Sequence, residues 1–174
     1  MYERGVRAAS VEDVLVASGT GKSQFYHYFS GKEELVGEVL RHQLALVLDE
    51  QKRFELDSWD GIHAWLDGSV RWQSSQEFLG CPLGSIAAAV DEQGNGLRVI
   101  AAEAFATWEA ALADGLRCMR TKGLLRPDAD VQALAETTIA IIQGGYLLSS
   151  LKRDIQPMRH AVAAARQVLE SAAH

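Results

Sequence analysis

From Val11 onward, apolar positions recur along this chain at helical spacing, and no stretch keeps the period-two alternation of a half-buried strand. Ser10 before Val11-Glu12-Asp13 reads as a helix start, with Ser10 as N-cap and Asp13 near a capping-box position. Val11, Val14 and Leu15 then form one stripe, and Gly19 ends it because glycine takes the left-handed geometry of a C-terminal cap. After a short connection, Lys22 to Phe29 reads as a second helix, with Phe25, Tyr28 and Phe29 on one face as core candidates. Ser30-Gly31 breaks it. A longer amphipathic helix follows from Glu33 to about Phe54, through Leu35, Val39, Leu46 and Val47. Ser58 caps a segment from Trp59 to about Gln76, and the Gly80-Cys81-Pro82-Leu83-Gly84 loop launches a short helix ending near Asp91. A long helix is expected from Asn95 to about Lys122, stopped by Gly123, and Pro127 and Asp128 open the next, which runs to about Arg153. Pro157 lies in the first turn of the last helix, where its missing N–H costs nothing. The expected fold is all-α, divided into residues 1–54 and 55–174.

Composition narrows the function. A chain of 174 residues can bury a real core, and 48% apolar with 23% charged residues is ordinary for a globular protein. No apolar run reaches the roughly 18 residues of a membrane span, and Met1-Tyr2-Glu3-Arg4 lacks a secretory pattern, so a cytoplasmic location is expected. Cys81 and Cys118 cannot make a disulfide framework or a zinc site unaided, and nothing beside them in sequence favours a redox switch. The histidines (His27, His42, His63, His160 and His174) show no metal-ligand spacing. No cofactor motif, nucleophile–base pair or paired carboxylates point to an enzyme. The net charge of −6 argues against a general nucleic-acid coat. Within residues 1–32, however, four basic residues face three acidic ones, a balance of +1 that leaves −7 for the remainder. Any DNA contact is expected near the N-terminus.

Two short helices joined by a glycine-containing turn are the helix-turn-helix pattern, whose second helix enters the major groove by its N-terminal residues. Lys22, Ser23 and Gln24 hold those positions; Lys donates to guanine and Gln pairs with adenine. Tyr26, His27 and Lys32 are then placed to meet phosphates, with Ser10 at the start of the first helix. A phosphate-cradling P-loop is excluded because it needs a glycine where Val16 stands, and a preceding strand. The run Gly19-Thr20-Gly21-Lys22-Ser23-Gln24-Phe25-Tyr26-His27-Tyr28-Phe29-Ser30-Gly31-Lys32-Glu33-Glu34-Leu35 resembles the signature of TetR-family repressors, and residues 5–14 resemble that family's helix 1–2 junction. The resemblance implies a DNA-binding domain followed by a ligand-binding and dimerisation domain. It also implies a complete first helix, of which Met1 to Gly5 correspond only to the last turn. A mobile or rearranged N-terminal region and weak operator binding are therefore expected of a chain starting at Met1.

Gly80-Cys81-Pro82-Leu83-Gly84 and Gln143-Gly144-Gly145-Tyr146-Leu147-Leu148 are similar to the family's LmrA/YxaF-like branch, which implies a drug-like or aromatic effector. Trp65, Trp72, Phe105, Trp108, Met119, Gln143 and Tyr146 are the ligand-binding candidates, since apolar walls with a few polar groups make small-molecule sites. Leu134, Thr138, Ile141, Gly145 and Leu148 recur at spacings of four and three, as do Met158, Val162, Ala165 and Leu169. Both stripes are expected at a homodimer interface, which suits palindromic double-stranded operator DNA. The function expected is a repressor released from its operator by a small apolar or aromatic effector. The competing expectation is a helical small-molecule-binding dimer that no longer binds DNA.

Overall fold

A computed structural model describes residues 8–90 and 95–174 and contains eight helices among them. They are α1 (Val11–Ser18), α2 (Lys22–Tyr28), α3 (Lys32–Gln51), α4 (Trp59–Ser75), α5 (Pro82–Ala88), α6 (Asn95–Thr121), α7 (Val131–Lys152) and α8 (Gln156–Glu170). The expected all-α fold is what the chain adopts. Among the described residues the β structure is limited to an isolated bridge between Leu125 and Ala173. The N-terminal turn expected to be mobile lies outside the described residues, as does Asp91, and α5, expected to end near it, ends at Ala88.

By its contacts the chain divides into two compact units, Met1–Leu46 with Pro82–Phe105, and Val47–Cys81 with Ala106–His174. Helices α3 and α6 each contribute residues to both.

In the first unit, Phe25, Val36, Leu40, Leu83, Ile86, Ala101 and Ala104 are buried. Gly37 lets α3 approach α6 closely; a Cβ there would lie 3.1 Å from Ile100 Cδ1 and 3.8 Å from Leu97 Cδ2. The expected apolar stripe on α3 is off by one position. Leu35, Val39 and Val47 are half-buried and Leu46 is exposed, whereas Val36 and Leu40 are sealed. Tyr28, expected in the core, is 64% exposed. A seven-residue helix has one narrow inner face, and Phe25 occupies it, with Phe29 half-buried beside it at a ring separation of 5.3 Å.

In the second unit, α8 packs on α7 and α4. Gly145 lets α7 and α8 approach closely, since a Cβ there would lie 2.6 Å from Ala161 Cβ and 2.9 Å from Met158 Sδ. The α7–α8 turn is tied by the buried Ser149 hydroxyl, which accepts the Met158 backbone N–H at 2.9 Å. Trp108 is held from α6 by a buried hydrogen bond, its indole N–H donating to Gln51 Oε1 at 2.7 Å. Helix α7 begins at Val131 rather than at Pro127–Asp128, because Asp130 is the residue whose carboxylate accepts the Ala133 N–H, at 3.1 Å. Pro127 and Asp128 lie in the preceding turn, whose Ala129 carbonyl is held by Arg120 at 2.9 Å.

Candidate functional site

The α1–turn–α2 segment is fixed by backbone chemistry at each end. The Ser10 hydroxyl accepts the Asp13 N–H at 3.1 Å, and Asp13 Oδ2 accepts the Ser10 N–H at 2.8 Å, completing a reciprocal capping box. Gly19 has φ +66° and donates its N–H to the Leu15 carbonyl, closing α1. Three residues later α2 begins at Lys22, with Gly21 as an N-cap that offers no side chain to its first-turn N–H groups. The orphan amides of that turn and the exposed side chains of Lys22, Ser23 and Gln24 therefore share one end of the helix. Phe25 anchors α2 and is 3% exposed, while Tyr26 and His27 remain exposed.

Lys22 Nζ lies 3.6 Å from Glu12 Oε1, with both side chains largely exposed, an ion pair worth little against solvent. Ser10 is committed to the capping box yet its hydroxyl remains at the surface. Lys32, the first residue of α3, is half-buried. Beside it, Glu34 Oε2 accepts from the Ser30 N–H at 2.6 Å and the Ser30 hydroxyl at 2.8 Å, which holds its carboxyl below the ordinary carboxylate range. The start of α3 thus already carries an internal anion. A phosphate contact there depends on the Lys32 ammonium more than on the helix dipole.

The seven ligand candidates are not brought together as one set. Trp65, Trp108, Met119 and Tyr146 are buried in the second unit, Gln143 is half-buried there, and Trp72 is exposed. Phe105 belongs to the first unit. Gln73 and Ser149, which are not among the sequence candidates, and Thr138, expected at the dimer interface, are fully buried polar residues of the second unit. Gln73 was findable, because Ile62, Leu66, Ser69 and Gln73 recur at helical spacing along the inner face of α4. Its Nε2 donates to Ser150 Oγ at 3.3 Å. Gln73 Oε1, Thr138 Oγ1 and Gln143 Nε2 are buried with no hydrogen-bond partner among the described residues.

The expected dimer stripes need correction. Thr138 and Gly145 of α7, and Met158, Val162, Ala165 and Leu169 of α8, are buried within the chain itself, where they join α7, α8 and α4. Leu134 and Ile141 are half-buried, and Leu148 is exposed. The apolar line that reaches the surface of α7 runs one position earlier, through Ala140, Gly144, Leu147 and Leu151, the last two 61% and 73% exposed. A Cβ at Gly144 would meet no atom within 4 Å.

Comparison with known proteins covers both parts of the chain. Residues 1–39 match the family described as bacterial regulatory proteins, tetR family, and residues 60–165 match the tetracyclin repressor-like C-terminal domain. The chain is similar to the HTH-type transcriptional regulator YxaF of Bacillus subtilis, with 25% identity over 164 residues, 89% of this chain and 81% of that protein. It is equally similar to the HTH-type transcriptional regulator LmrA of the same organism, 25% identical over 169 residues, 90% of this chain and 84% of that one. Among solved structures, a TetR-family transcriptional regulator from Cytophaga hutchinsonii matches with a TM-score of 0.83 at 19% identity, covering 98% of this chain and 87% of that chain.

Proposed function

The chain belongs to the TetR family of bacterial transcriptional regulators, and from that premise we propose that it is a repressor that reads a palindromic operator with α2 and leaves it when a small apolar or aromatic effector binds the second unit. The observation that carries the reading is the exposed start of α2. Lys22, Ser23 and Gln24 stand clear on a helix anchored by a single buried aromatic, Phe25. Lys22 and Gln24 supply base-edge contacts, while Ser10, Tyr26, His27 and Lys32 supply phosphate contacts that set register.

Two further features support the rest of the mechanism. Leu147, Leu148 and Leu151 form an exposed apolar surface along the last turns of α7, and Gly144 leaves room for close approach. A second copy covers this surface and fixes the separation of the two recognition helices at about one DNA turn. The buried, unpartnered polar atoms of Gln73, Thr138 and Gln143 lie in the same unit as Trp65, Trp108, Met119 and Tyr146. Buried polar atoms without partners are costly, and an effector with matching groups relieves that cost. An effector that favours one dimer spacing by about 1–3 kcal/mol shifts the population away from DNA.

The test is selection of binding sequences from a random duplex library at low salt, followed by footprinting. A two-fold symmetric site with half-sites about one helical turn apart is expected. Recovery of no enriched sequence would instead support the reading as a helical small-molecule-binding dimer without an operator.

A further inference from the structure

Between α4 and α8 the second unit holds an open groove of about 430 Å³, lined by none of the seven ligand candidates. Its charge is unusual for a chain of net charge −6. Arg166 Nη2 pairs with Asp67 Oδ1 at 2.6 Å and reaches the His63 carbonyl at 3.4 Å. Four residues along α4 from Asp67 stands Arg71, and seven residues back along α8 from Arg166 stands Arg159, both also lining the groove. Arg71 makes one long hydrogen bond, 3.4 Å to the Ala64 carbonyl. Neither it nor Arg159 has a carboxylate partner among the described residues. The groove therefore carries two guanidinium charges that no carboxylate among the described residues neutralises. In addition, Arg166 Nε is buried and has no acceptor among the described residues.

Val70, Val162 and Ala163 supply an apolar lining between these charges. We propose that the α4–α8 groove is a binding site for an amphipathic anion, whose acidic head lies between Arg71 and Arg159 and whose hydrocarbon part rests on Val70 and Val162. Guanidinium groups present planar forks suited to carboxylate or phosphate oxygens. A bound anion also relieves the repulsion between two like charges facing one groove. The proposal does not depend on operator binding, since it is read from the protein alone.

Calorimetric titration with three probes tests it: octanoate, octanol and inorganic phosphate, using the full chain and the R71Q/R159Q variant. Octanoate is expected to bind, and to weaken as ionic strength rises. The double substitution is expected to cost about tenfold in octanoate affinity, while both exposed positions leave the unfolding transition unchanged. Octanol, which lacks the charge, and phosphate, which lacks the tail, are each expected to bind at least about tenfold more weakly. The proposal is overturned if octanoate does not bind, if octanol or phosphate binds as well as octanoate, or if R71Q/R159Q binds octanoate as well as the parent chain. Should the double variant misfold, R159Q alone is compared, with any loss of octanoate affinity expected in the same direction and no loss overturning the proposal.

Discussion

Gly145→Ala distinguishes a contact inside one chain from a contact between two. A methyl at this position would lie 2.6 Å from Ala161 Cβ, 2.9 Å from Met158 Sδ and 3.4 Å from Met158 Cα. The Met158 thioether can move, but it is fully buried and has little space to enter. Ala161 Cβ has no rotamer to adopt, so α7 and α8 must separate by some tenths of an ångström. Overpacking of this kind costs about 1–3 kcal/mol. Replacing glycine by alanine within a helix returns about 0.5–1 kcal/mol through backbone entropy. The expected net loss is about 1–2 kcal/mol, a fall of several degrees in Tm for a chain of this size. Urea unfolding followed by circular dichroism at two protein concentrations reads it. Strain within the chain gives a loss that does not change with concentration, whereas damage to a dimer interface gives one that shrinks on dilution as both proteins become monomers. Unchanged or raised stability, or a loss that vanishes on dilution, would refute the placement of Gly145 between α7 and α8.

Other consequences follow from the same packing. Ser10→Ala removes the hydroxyl half of the α1 capping box, leaving the backbone N–H of residue 10 on the Asp13 carboxylate, and is expected to cost about 1 kcal/mol, with faster amide exchange in the first turn of α1. Gln51→Leu removes the acceptor of the buried Trp108 indole N–H, with an expected loss of about 1–3 kcal/mol in a urea melt. Burial and the Glu136 charge raise the Glu109 carboxyl pKa, so the folded state takes up its proton at higher pH than the unfolded chain does. The strain is present at neutral pH and disappears as pH falls below the unfolded value; Glu109→Gln should therefore stabilise at pH 7 and lose that advantage near pH 4, as Tm against pH will show. The Glu34 carboxyl pKa is lowered by Ser30, and its contribution is present at neutral pH and lost as pH falls through the folded value. Leu147→Glu with Leu151→Glu puts two charges on the exposed apolar surface of α7, and sedimentation velocity is expected to show monomers.

The helix-turn-helix was legible in the sequence because its signals are local. Ser10, Asp13 and Gly19 act on backbone groups within five residues, and the structure uses each of them as a cap. The faces of the longer helices were less legible, for a reason that differs between them. Along α7 apolar residues occur almost all round, so spacings of four and three fit more than one register, and the expected stripe mixes the buried Thr138 and Gly145 with the exposed Leu148. On α8 the stripe Met158–Val162–Ala165–Leu169 was correctly seen as a unit, but a stripe cannot say whether its cover comes from the same chain. Here α7 and α4 supply it. The ligand candidates fared similarly, since aromatic content marks burial without marking which unit a residue joins, as Phe105 shows.

The most direct test is the binding of fluorescein-labelled operator duplex, measured by anisotropy between 50 and 200 mM salt, for the chain and its Lys22→Ala and Gln24→Ala variants. If α2 reads DNA, log affinity falls linearly with log salt, and Lys22→Ala weakens binding and makes that slope shallower. Gln24→Ala then costs about 1–3 kcal/mol on the selected operator and much less on unrelated duplex. Equal affinities for all three proteins, with the same salt slope, would contradict the assignment of α2 as the recognition helix.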